Sequence, residues 1–315
     1  MTPAPDGLVL LDKPQGITSF QCLGRIKRVL GTRRVGHVGT LDPFASGLLG
    51  AVTGRATRLA GLLSGLDKVY LATVRFGRET DTLDPEGAVV ARAPVPDWDA
   101  IRRVLPALTG RLRQRPPAYS AIRIAGRRAY TMARRGEAPV LPLRDVTVTA
   151  AEPSDWQPPE LTVKLTCSAG TYVRSWARDL GSAAGSCAYV VQLRRLSIGP
   201  FSIADAVAPC DFVHDHLQPP AAFLRRLPRV STVRVKPRYR RSVVHGQPVA
   251  GLFFASDPDA DADHCAVLDD DDCLLAVLRR RPAGGPARPA SAGEHASDAA
   301  DGPLGWSYAG VFCDH

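Results

Sequence analysis

The segment 36–47, Gly-His-Val-Gly-Thr-Leu-Asp-Pro-Phe-Ala-Ser-Gly, constrains the fold of this chain more than any other stretch. Its three glycines and one proline exclude a regular helix or strand, so the segment must form a shaped loop. The only acid in it, Asp42, precedes Pro43, whose ring restricts the preceding residue to extended backbone and so limits the directions of the carboxylate. Taken alone, the pair also fits a helix start, with Asp42 as N-cap and Pro43 at the first helical position.

The charge of the chain is unevenly distributed. The formal net charge is +9, but residues 253–315 hold 12 acids and four bases, which leaves 36 bases and 19 acids in residues 1–252. A body this basic favours a polyanionic partner such as a nucleic acid, the alternative being a basic surface that only keeps the protein dissolved.

The segment 111–136 concentrates this positive charge. It contains no acid, it includes Tyr119 and Tyr130, and its eight arginines are Arg111, Arg113, Arg115, Arg123, Arg127, Arg128, Arg134 and Arg135. Arginines interleaved with aromatic residues are suited to neutralising phosphates and contacting bases. A solvated helix face is the alternative, although such faces usually mix both charge signs.

Several classes of protein find no support in the sequence. The N-terminus has no basic start followed by an apolar run, and no run of 18 apolar residues occurs, so we expect a cytoplasmic protein that does not span a membrane. The seven cysteines are scattered without a Cys-x-x-Cys pair, which predicts free thiols. No nucleotide-binding, zinc or serine-hydrolase motif is present, and we predict neither a cofactor nor a metal.

Hydrophobic patterns and turn residues predict a mixture of helices and strands. The predicted strands are 7–11, 67–76, 144–151, 160–167 and 188–198, and a buried run lies at 48–52. One predicted helix begins at Thr18 or Ser19 and ends at Gly31, and the others lie near 55–63, 97–109 and 171–181. Beyond residue 228 the pattern changes to short strands at 230–235, 247–254, 266–268, 274–279 and 306–312.

The segment Asp81–Gly87 repeats the Thr-Leu-Asp-Pro of residues 40–43. Its Asp-Pro-Glu-Gly ending fits a simple turn, and we interpret Asp84 as a turn residue. A further glycine turn, Cys167–Arg174, leads from a strand into a helix and presents Tyr172 and Arg174 near the turn. A buried Arg174–Asp42 pair would keep the carboxylate ionised and lower its pKa, which suits a nucleophile.

Seven motifs in collinear order resemble those of the bacterial tRNA pseudouridine-55 synthases, the TruB type of uridine isomerase. They span about residues 7–210 and are Leu10–Pro14, Gly36–Pro43, Lys68–Tyr70, Asp81–Asp84, Pro116–Ala121, Cys167–Arg174 and Leu193–Leu196. Agreement at this many positions outweighs the helix-cap interpretation of Asp42.

The resemblance implies roles for individual residues. It implies that Asp42 is the catalytic aspartate, that Tyr70 stacks on the flipped uracil and that Arg174 pairs with the aspartate. It also implies that the target nucleotide is lined by His37, Tyr172 and Leu193. Lys13 lies in a motif near the site, where the resemblance implies that it supports the site or contacts RNA. No cofactor is needed, because the N1–C1′ bond of uridine is broken and the base rejoined through C5.

The resemblance also implies the architecture and the partner. We expect an α+β pseudouridine-synthase fold with a mixed, mainly antiparallel sheet flanked by helices, in a catalytic domain 1–227 with an RNA-binding insertion at about 111–140. A small β-rich, PUA-like domain would occupy 228–315, with a flexible insertion at 282–303, where 17 of 22 residues are Pro, Gly, Ala or Ser. The expected partner is the T arm of tRNA, bound by a monomer without an obligatory protein partner.

Two other functions fit the same basic surface. The first is a non-catalytic chaperone of the tRNA T arm, and the second is an enzyme of this scaffold that is guided by RNA within a complex. For the isomerase, the sequence leaves open whether Asp42 attacks C1′ of the ribose or C6 of the base. It also leaves open whether Tyr70 or Asp42 removes the C5 proton.

Overall fold

The computed structural model describes residues 5–120, 123–124, 127–128, 132, 141–248, 251–281 and 305–313. Its first strands and helices are β1 Gly7–Lys13, α1 Ser19–Val29, β2 Val35–Val38, β3 Ser46–Thr53, α2 Ala60–Ser64, β4 Lys68–Phe76, β5 Arg78–Thr80, β6 Val89–Arg92, α3 Trp98–Val104 and β7 Gly110–Gln114. Next along the chain are β8 Arg123–Ile124, β9 Arg127–Arg128, β10 Arg144–Gln157, β11 Glu160–Cys167, α4 Val173–Ala183, β12 Ala188–Ile198, β13 Phe201–Ser202 and α5 Pro220–Leu224. The last are β14 Val230–Arg234, α6 Arg240–Val244, β15 His264–Leu268, β16 Leu274–Arg280 and β17 Trp306–Val311.

Helix α1 forms for the reasons its sequence indicates. The Thr18 side chain accepts a hydrogen bond from the Gln21 backbone N–H, and Gln21 bonds back to the Thr18 N–H, which completes a capping box. Leu23 and Ile26 are buried against the sheet. Gly31 follows the helix with a φ of +60°, a conformation that glycine adopts at little cost. The prediction for this helix is confirmed.

The largest sheet has the strand order β1-β3-β12-β4-β11-β10-β7, with β2 and β13 paired at its margins. Among its described strands only β12 and β3 pair in parallel, through Arg194–Ser46 and Arg195–Gly47. A side chain on Gly47 would collide with the Arg195 backbone, so this close parallel contact requires a glycine. The expected α+β class and the mixed, mainly antiparallel sheet are therefore confirmed.

Strand β4 lies inside this sheet between β12 and β11. Its even-numbered positions are buried, in agreement with the alternation that predicted a strand at 67–76. Helix α4 covers the same region, and Trp176 is buried in the core with its indole N–H donated to the Leu108 carbonyl at 3.0 Å. This packing brings the start of α4 next to the centre of the sheet.

A second sheet near the C-terminus has the order β14-β15-β16-β17. The prediction of a strand at 247–254 is wrong for the described part of this segment, which forms a 3-10 turn at Gly251–Phe253. The segment contains Pro248, which lacks the N–H that a strand needs. Buried side chains of the two sheets share one apolar cluster, in which Phe223 and Leu227 lie with Leu274 and Phe312.

The arginine-rich segment begins on a strand of the large sheet. Strand β7 pairs with β10 from Arg144–Gln114 to Val148–Gly110, so Arg111 and Arg113 lie on an edge strand. Strands β8 and β9 pair with each other in antiparallel orientation. Tyr130, Arg134 and Arg135 lie outside the described residues, as does the segment 282–303.

Within the described ranges, no helix is both long and apolar enough to cross a membrane. All seven cysteines are free thiols, as predicted.

Candidate active site

The loop that carries Asp42 is a turn, not the start of a helix. The Asp42 carbonyl accepts a hydrogen bond from the Ala45 N–H at 3.1 Å, and strand β3 starts immediately afterwards at Ser46. The helix-cap interpretation of Asp42 and Pro43 is therefore wrong. A turn with proline at its second position leaves the Asp42 side chain free to point away from the backbone.

The backbone is fixed on both sides of Asp42. The Ser19 hydroxyl bonds both polar groups of Leu41, donating to the carbonyl at 3.0 Å and accepting from the N–H at 2.9 Å. The Pro43 carbonyl accepts from the Gly16 N–H at 2.8 Å and from the Lys13 ammonium at 3.3 Å. Because these contacts come from β1, α1 and the loop between them, the loop is pre-organised before any ligand binds.

Arg174 connects this loop to two other parts of the chain. It is the second residue of α4, and its side chain is only 5 % exposed. The guanidinium pairs with Asp42 at 2.9 Å and with Asp84 at 3.0 Å. It also donates to the Thr82 carbonyl at 2.7 Å and the Tyr119 carbonyl at 3.0 Å. The expected contact between Arg174 and Asp42 is present, and four acceptors fix the guanidinium.

Asp84 is in a turn, as expected, but it is not a simple surface turn residue. Its side chain is 6 % exposed, and the oxygen that does not face Arg174 accepts from the Thr82 hydroxyl at 2.5 Å and the Glu86 N–H at 3.1 Å. Two carboxylates thus share one guanidinium, so the three groups together carry a net negative charge when all are ionised.

The pKa of Asp42 moves opposite to the expectation. Burial of the carboxyl group raises its pKa, Arg174 counteracts the rise, and the nearby negative charge of Asp84 adds to it. The prediction from the sequence counted the guanidinium but neither the surrounding protein nor the second carboxylate. The side chain nevertheless keeps 38 % of its surface exposed, so its free oxygen is open to a ligand.

Asp42 lies at a cleft of about 260 Å³. Five of the seven residues singled out in the sequence line this cleft: Asp42, Tyr70, Tyr172, Arg174 and Leu193. Tyr70 lies on β4 opposite Arg195 of β12, and burial raises the pKa of its phenol while the Arg195 guanidinium counteracts the rise. An aromatic ring, an aliphatic side chain and a carboxylate therefore face one space, which suits a flat, polar ring such as a base.

Tyr172 is positioned by the strand that opens the arginine-rich segment. The side-chain amide of Gln114 in β7 accepts from the Tyr172 N–H at 2.8 Å and donates to the Tyr172 carbonyl at 3.1 Å. Gln114 is buried, so this pair of hydrogen bonds is shielded from water. Burial raises the pKa of the Tyr172 phenol, which favours its neutral form.

Two cations at the base of the cleft were not predicted. Arg195 is 1 % exposed and donates to the Leu48 carbonyl at 2.7 Å and the Gly39 carbonyl at 2.9 Å. Lys68 donates to the Ser64 and Leu66 carbonyls at 2.5 Å each, and burial, with a smaller effect of Arg195, lowers its pKa to about 8. Neither has a carboxylate partner among the described residues, so this part of the cleft is positive.

Comparison with known proteins agrees with this geometry. Residues 27–173 match the model described as the N-terminal domain of the TruB family of pseudouridylate synthases. The chain is 49 % identical over 205 residues to tRNA pseudouridine synthase B of Gloeobacter violaceus, covering 63 % of this chain and 70 % of that protein. It is 41 % identical over 266 residues to the protein of the same name from Thermobifida fusca, covering 79 % of this chain and 90 % of the relative. The chain belongs to the TruB family.

Solved structures show the same fold. A structure of a Cbf5-Nop10-Gar1 complex is similar with a TM-score of 0.64 and 26 % identity, over 87 % of this chain and 78 % of that one. A structure of an H/ACA RNP bound to a substrate RNA containing 2′-deoxyuridine has the same TM-score at 24 % identity and the same coverage. The TruB-family chain therefore has a pseudouridine-synthase fold with a small C-terminal sheet.

Two residues that the resemblance assigned to this TruB-family site do not line the cleft. Lys13 is fully buried, and its ammonium donates to the Pro14, Ile17 and Pro43 carbonyls, so its position fits the supporting role and not contact with RNA. His37 lies on β2, and the buried Nδ1 of its ring has no hydrogen-bond partner among the described residues. Burial, with a smaller effect of Arg195, lowers the His37 pKa and favours the neutral ring.

The sequence held signals for the residues that were missed. Lys68 is in phase with Tyr70 in the alternation of β4, and a lysine on the buried face of a strand indicates a special environment. The tetrapeptide that contains Asp84 has the same sequence as the one that contains Asp42. No group of three or more potential metal ligands occurs among the residues that the TruB-family structure describes.

Proposed function

We propose that this TruB-family chain converts a uridine in the T loop of tRNA, position 55, to pseudouridine, with Asp42 as the attacking group. The observation that carries the proposal is the contact between Asp42 and Arg174 at the edge of a cleft that also contains Tyr70. A fixed carboxylate with one exposed side, next to a surface for stacking, is what attack on a flipped nucleotide requires.

The reaction rearranges bonds without net oxidation or hydrolysis. The N1–C1′ bond breaks, the freed uracil turns, and a C5–C1′ bond forms. The proton on C5 leaves and N1 gains a proton, so the atoms balance without a cofactor. The Asp42 carboxylate attacks either C1′ or C6, and its ester is released when the new bond has formed.

The roles of the surrounding residues follow from their contacts. Arg174 holds Asp42 in one orientation, and Asp84 holds Arg174. Tyr70 offers its ring to the flipped base and Leu193 packs beside it, with Tyr172 closing the cleft. The cations Lys68 and Arg195 stabilise negative charge on the uracil oxygens after the glycosidic bond breaks.

The proton on C5 has two acceptors within the cleft. Asp42 regains its charge when its ester is released, while the rejoined base is still in the cleft. Burial raises the pKa of the Tyr70 phenol, and the facing Arg195 guanidinium counteracts this rise. Asp42 can therefore accept the proton directly, and Tyr70 can do so to the extent that Arg195 offsets the effect of burial.

The T arm of tRNA is the proposed substrate because the target base there has to be extruded from a folded loop. The basic residues of segment 111–136 would bind the phosphates of the arm, and His37 would help to open the loop. Because these elements belong to this chain, we propose a monomer that needs neither a guide RNA nor a protein partner and acts in the cytoplasm. Residues 1–227 would form the catalytic domain and 228–315 a small PUA-like domain.

The test is tritium release. The purified protein is incubated with a T-arm RNA that carries tritium at uridine C5, beside its Asp42→Asn variant, without added metal or nucleotide. Release of tritium by the wild type alone is the expected result. Tight binding without release would overturn the proposal and would favour the alternative function, a chaperone of the T arm.

A further inference from the structure

A glycine occupies the middle of helix α1 without a reason inside the protein. Gly24 has no positive φ, and a Cβ added to it would meet no atom within 4 Å. Neither the backbone conformation nor packing therefore requires glycine, although alanine is more favourable in a helix. A helix that gives up this stability at an exposed position is suited to close approach of another molecule.

The residues around Gly24 form one exposed face. Phe20, Gly24, Lys27 and Arg28 follow the i, i+4, i+7, i+8 spacing, which puts them on the same side of a helix. Phe20 is 66 % exposed, the highest value among the large apolar side chains described. The Lys27 ammonium lies 4.1 Å from the centre of its ring. The face thus presents an aromatic ring and two cations around a position without a side chain, and the Lys27 side chain reaches across the turn that contains Gly24 to the ring.

The charge of this face has no partner nearby. Residues 13–41 contain no acid, and Arg33 and Arg34 are exposed just beyond the helix. In the described part of the chain, Lys27, Arg28 and Arg33 form no ion pair with a carboxylate. Surface cations usually occur with acids of opposite sign, so an unbalanced group of this kind favours an anionic ligand.

The face lies next to the active-site loop. Ser19, which is bonded to Leu41, precedes Phe20 directly, so the Cα atoms of Phe20 and Asp42 are within about 15 Å of each other by chain geometry. From Phe20 the helix extends for about 12 Å to Arg28. The beginning of this face is therefore within reach of a nucleic acid whose base occupies the cleft.

We propose that the exposed face of α1, formed by Phe20, Gly24, Lys27 and Arg28, is a docking surface for the sugar–phosphate backbone of the substrate RNA. The gap at Gly24 lets the strand lie against the helix, the cations bind its phosphates, and the free side of the Phe20 ring stacks on a base. This inference rests on the proposed function, because the ligand is the same tRNA. It adds a contact surface separate from the arginine-rich segment 111–136.

Gly24→Ala tests this proposal directly, because it should raise the stability of the protein and lower its affinity for tRNA. The thermal midpoint should rise, since alanine favours the helix. The affinity for an unmodified tRNA transcript should fall about tenfold, because the methyl group holds the strand away from the helix. The rate of tritium release at saturating tRNA should stay within about twofold of wild type, since the bound geometry at Asp42 does not change.

Gly61→Ala is the matched control. Gly61 is also an exposed helical glycine with no atom within 4 Å of an added Cβ, but it belongs to another helix, α2. It should raise the thermal midpoint and leave the affinity for tRNA unchanged. The Lys27→Gln/Arg28→Gln variant should weaken binding and lower the slope of log K against log salt concentration by about 1 to 2.

A Gly24→Ala variant that is more stable and binds tRNA as tightly as wild type would overturn the proposal and point to a protein partner at this face. An unchanged salt slope in the double glutamine variant would overturn it as well. The outcome can be separated from that of the proposed function. Weakened binding in Gly24→Ala with no tritium release by wild type would support the docking surface and remove the isomerase.

Discussion

The tetrapeptide Thr-Leu-Asp-Pro occurs at residues 40–43 and again at 82–85, and both copies direct their carboxylate to Arg174. The two ion-pair distances are nearly equal, 2.9 and 3.0 Å. The surroundings differ. Asp42 retains 38 % of its side-chain surface, whereas Asp84 retains 6 % and also accepts from Thr82 and Glu86. Identical local sequences thus provide one carboxylate that is partly exposed and one whose oxygens are both bonded within the protein.

The backbones of the two copies differ too. Leu83 has a φ of +61°, whereas Leu41 is outside the left-handed region. Around Asp42 the hydrogen bonds are made by the main chain of its neighbours, which leaves the side chain open. Around Asp84 they are made by the side chain itself. The comparison teaches that the partners of the carboxylate, not its local sequence, decide which copy can react.

The largest effect should come from Asp42→Asn. Loss of the attacking group should lower the rate of tritium release by at least about 10⁴-fold. Stability should change by less than about 1 kcal/mol, because Arg174 keeps Asp84 as a partner. Single-turnover tritium release and urea unfolding measure the two quantities. A variant that unfolds would show that both copies are structural and would break the comparison.

Asp84→Asn should lower stability more than Asp42→Asn does, and turnover less. The amide keeps an acceptor for Thr82 and Glu86 but loses the charge that faces Arg174, so unfolding should become easier by about 1–3 kcal/mol. The misplaced guanidinium should lower turnover by roughly 10- to 100-fold. Glu86→Gln, two residues away at an exposed position, is the control and should change stability by less than about 0.5 kcal/mol. Equal effects of both substitutions would contradict the assignment.

The pH dependence of the reaction sharpens the comparison further. Protonation of Asp42 removes the attacking group, so turnover should fall on acidification, at a pH above the usual aspartate range because its pKa is raised. Removing the negative charge of Asp84 favours the ionised form of Asp42. In the Asp84→Asn variant, the loss of turnover on acidification should therefore occur at lower pH. The maximal turnover of this variant should also be lower than that of the wild type. A shift to higher pH would show that Asp84 stabilises the anion instead.

The smallest effect concerns the leucines. Leu41 and Leu83 are both buried, so replacing either by glycine removes a similar apolar area. Glycine relieves the left-handed conformation only at position 83. Leu83→Gly should therefore cost about 1 kcal/mol less than Leu41→Gly in urea unfolding. Equal costs would mean that the backbone at Leu83 is not strained.

The sequence was sufficient where local rules or neighbouring residues decide the structure. The capping box of α1 and the alternation of β4 are examples, whereas the approach of Arg174 to Asp42 was implied by the resemblance to the family. It was insufficient where distant parts of the chain meet. Asp84 fits a turn by every local rule, but its partner is 90 residues away, and the pKa of Asp42 depends on both. The roles assigned to Asp42, Tyr70 and Arg174 stay predictions.

The position of β12 in the large sheet has a consequence for the newly synthesised protein. Asp42 precedes β3 and Tyr70 lies on β4, and the strand between them in the sheet is β12, which is made more than 100 residues later. At typical rates of synthesis, roughly ten seconds separate the translation of Tyr70 from that of Ile198. During that interval the nascent chain holds both residues but has no strand to join them. The cleft that holds both residues is therefore completed only after β12 has been synthesised.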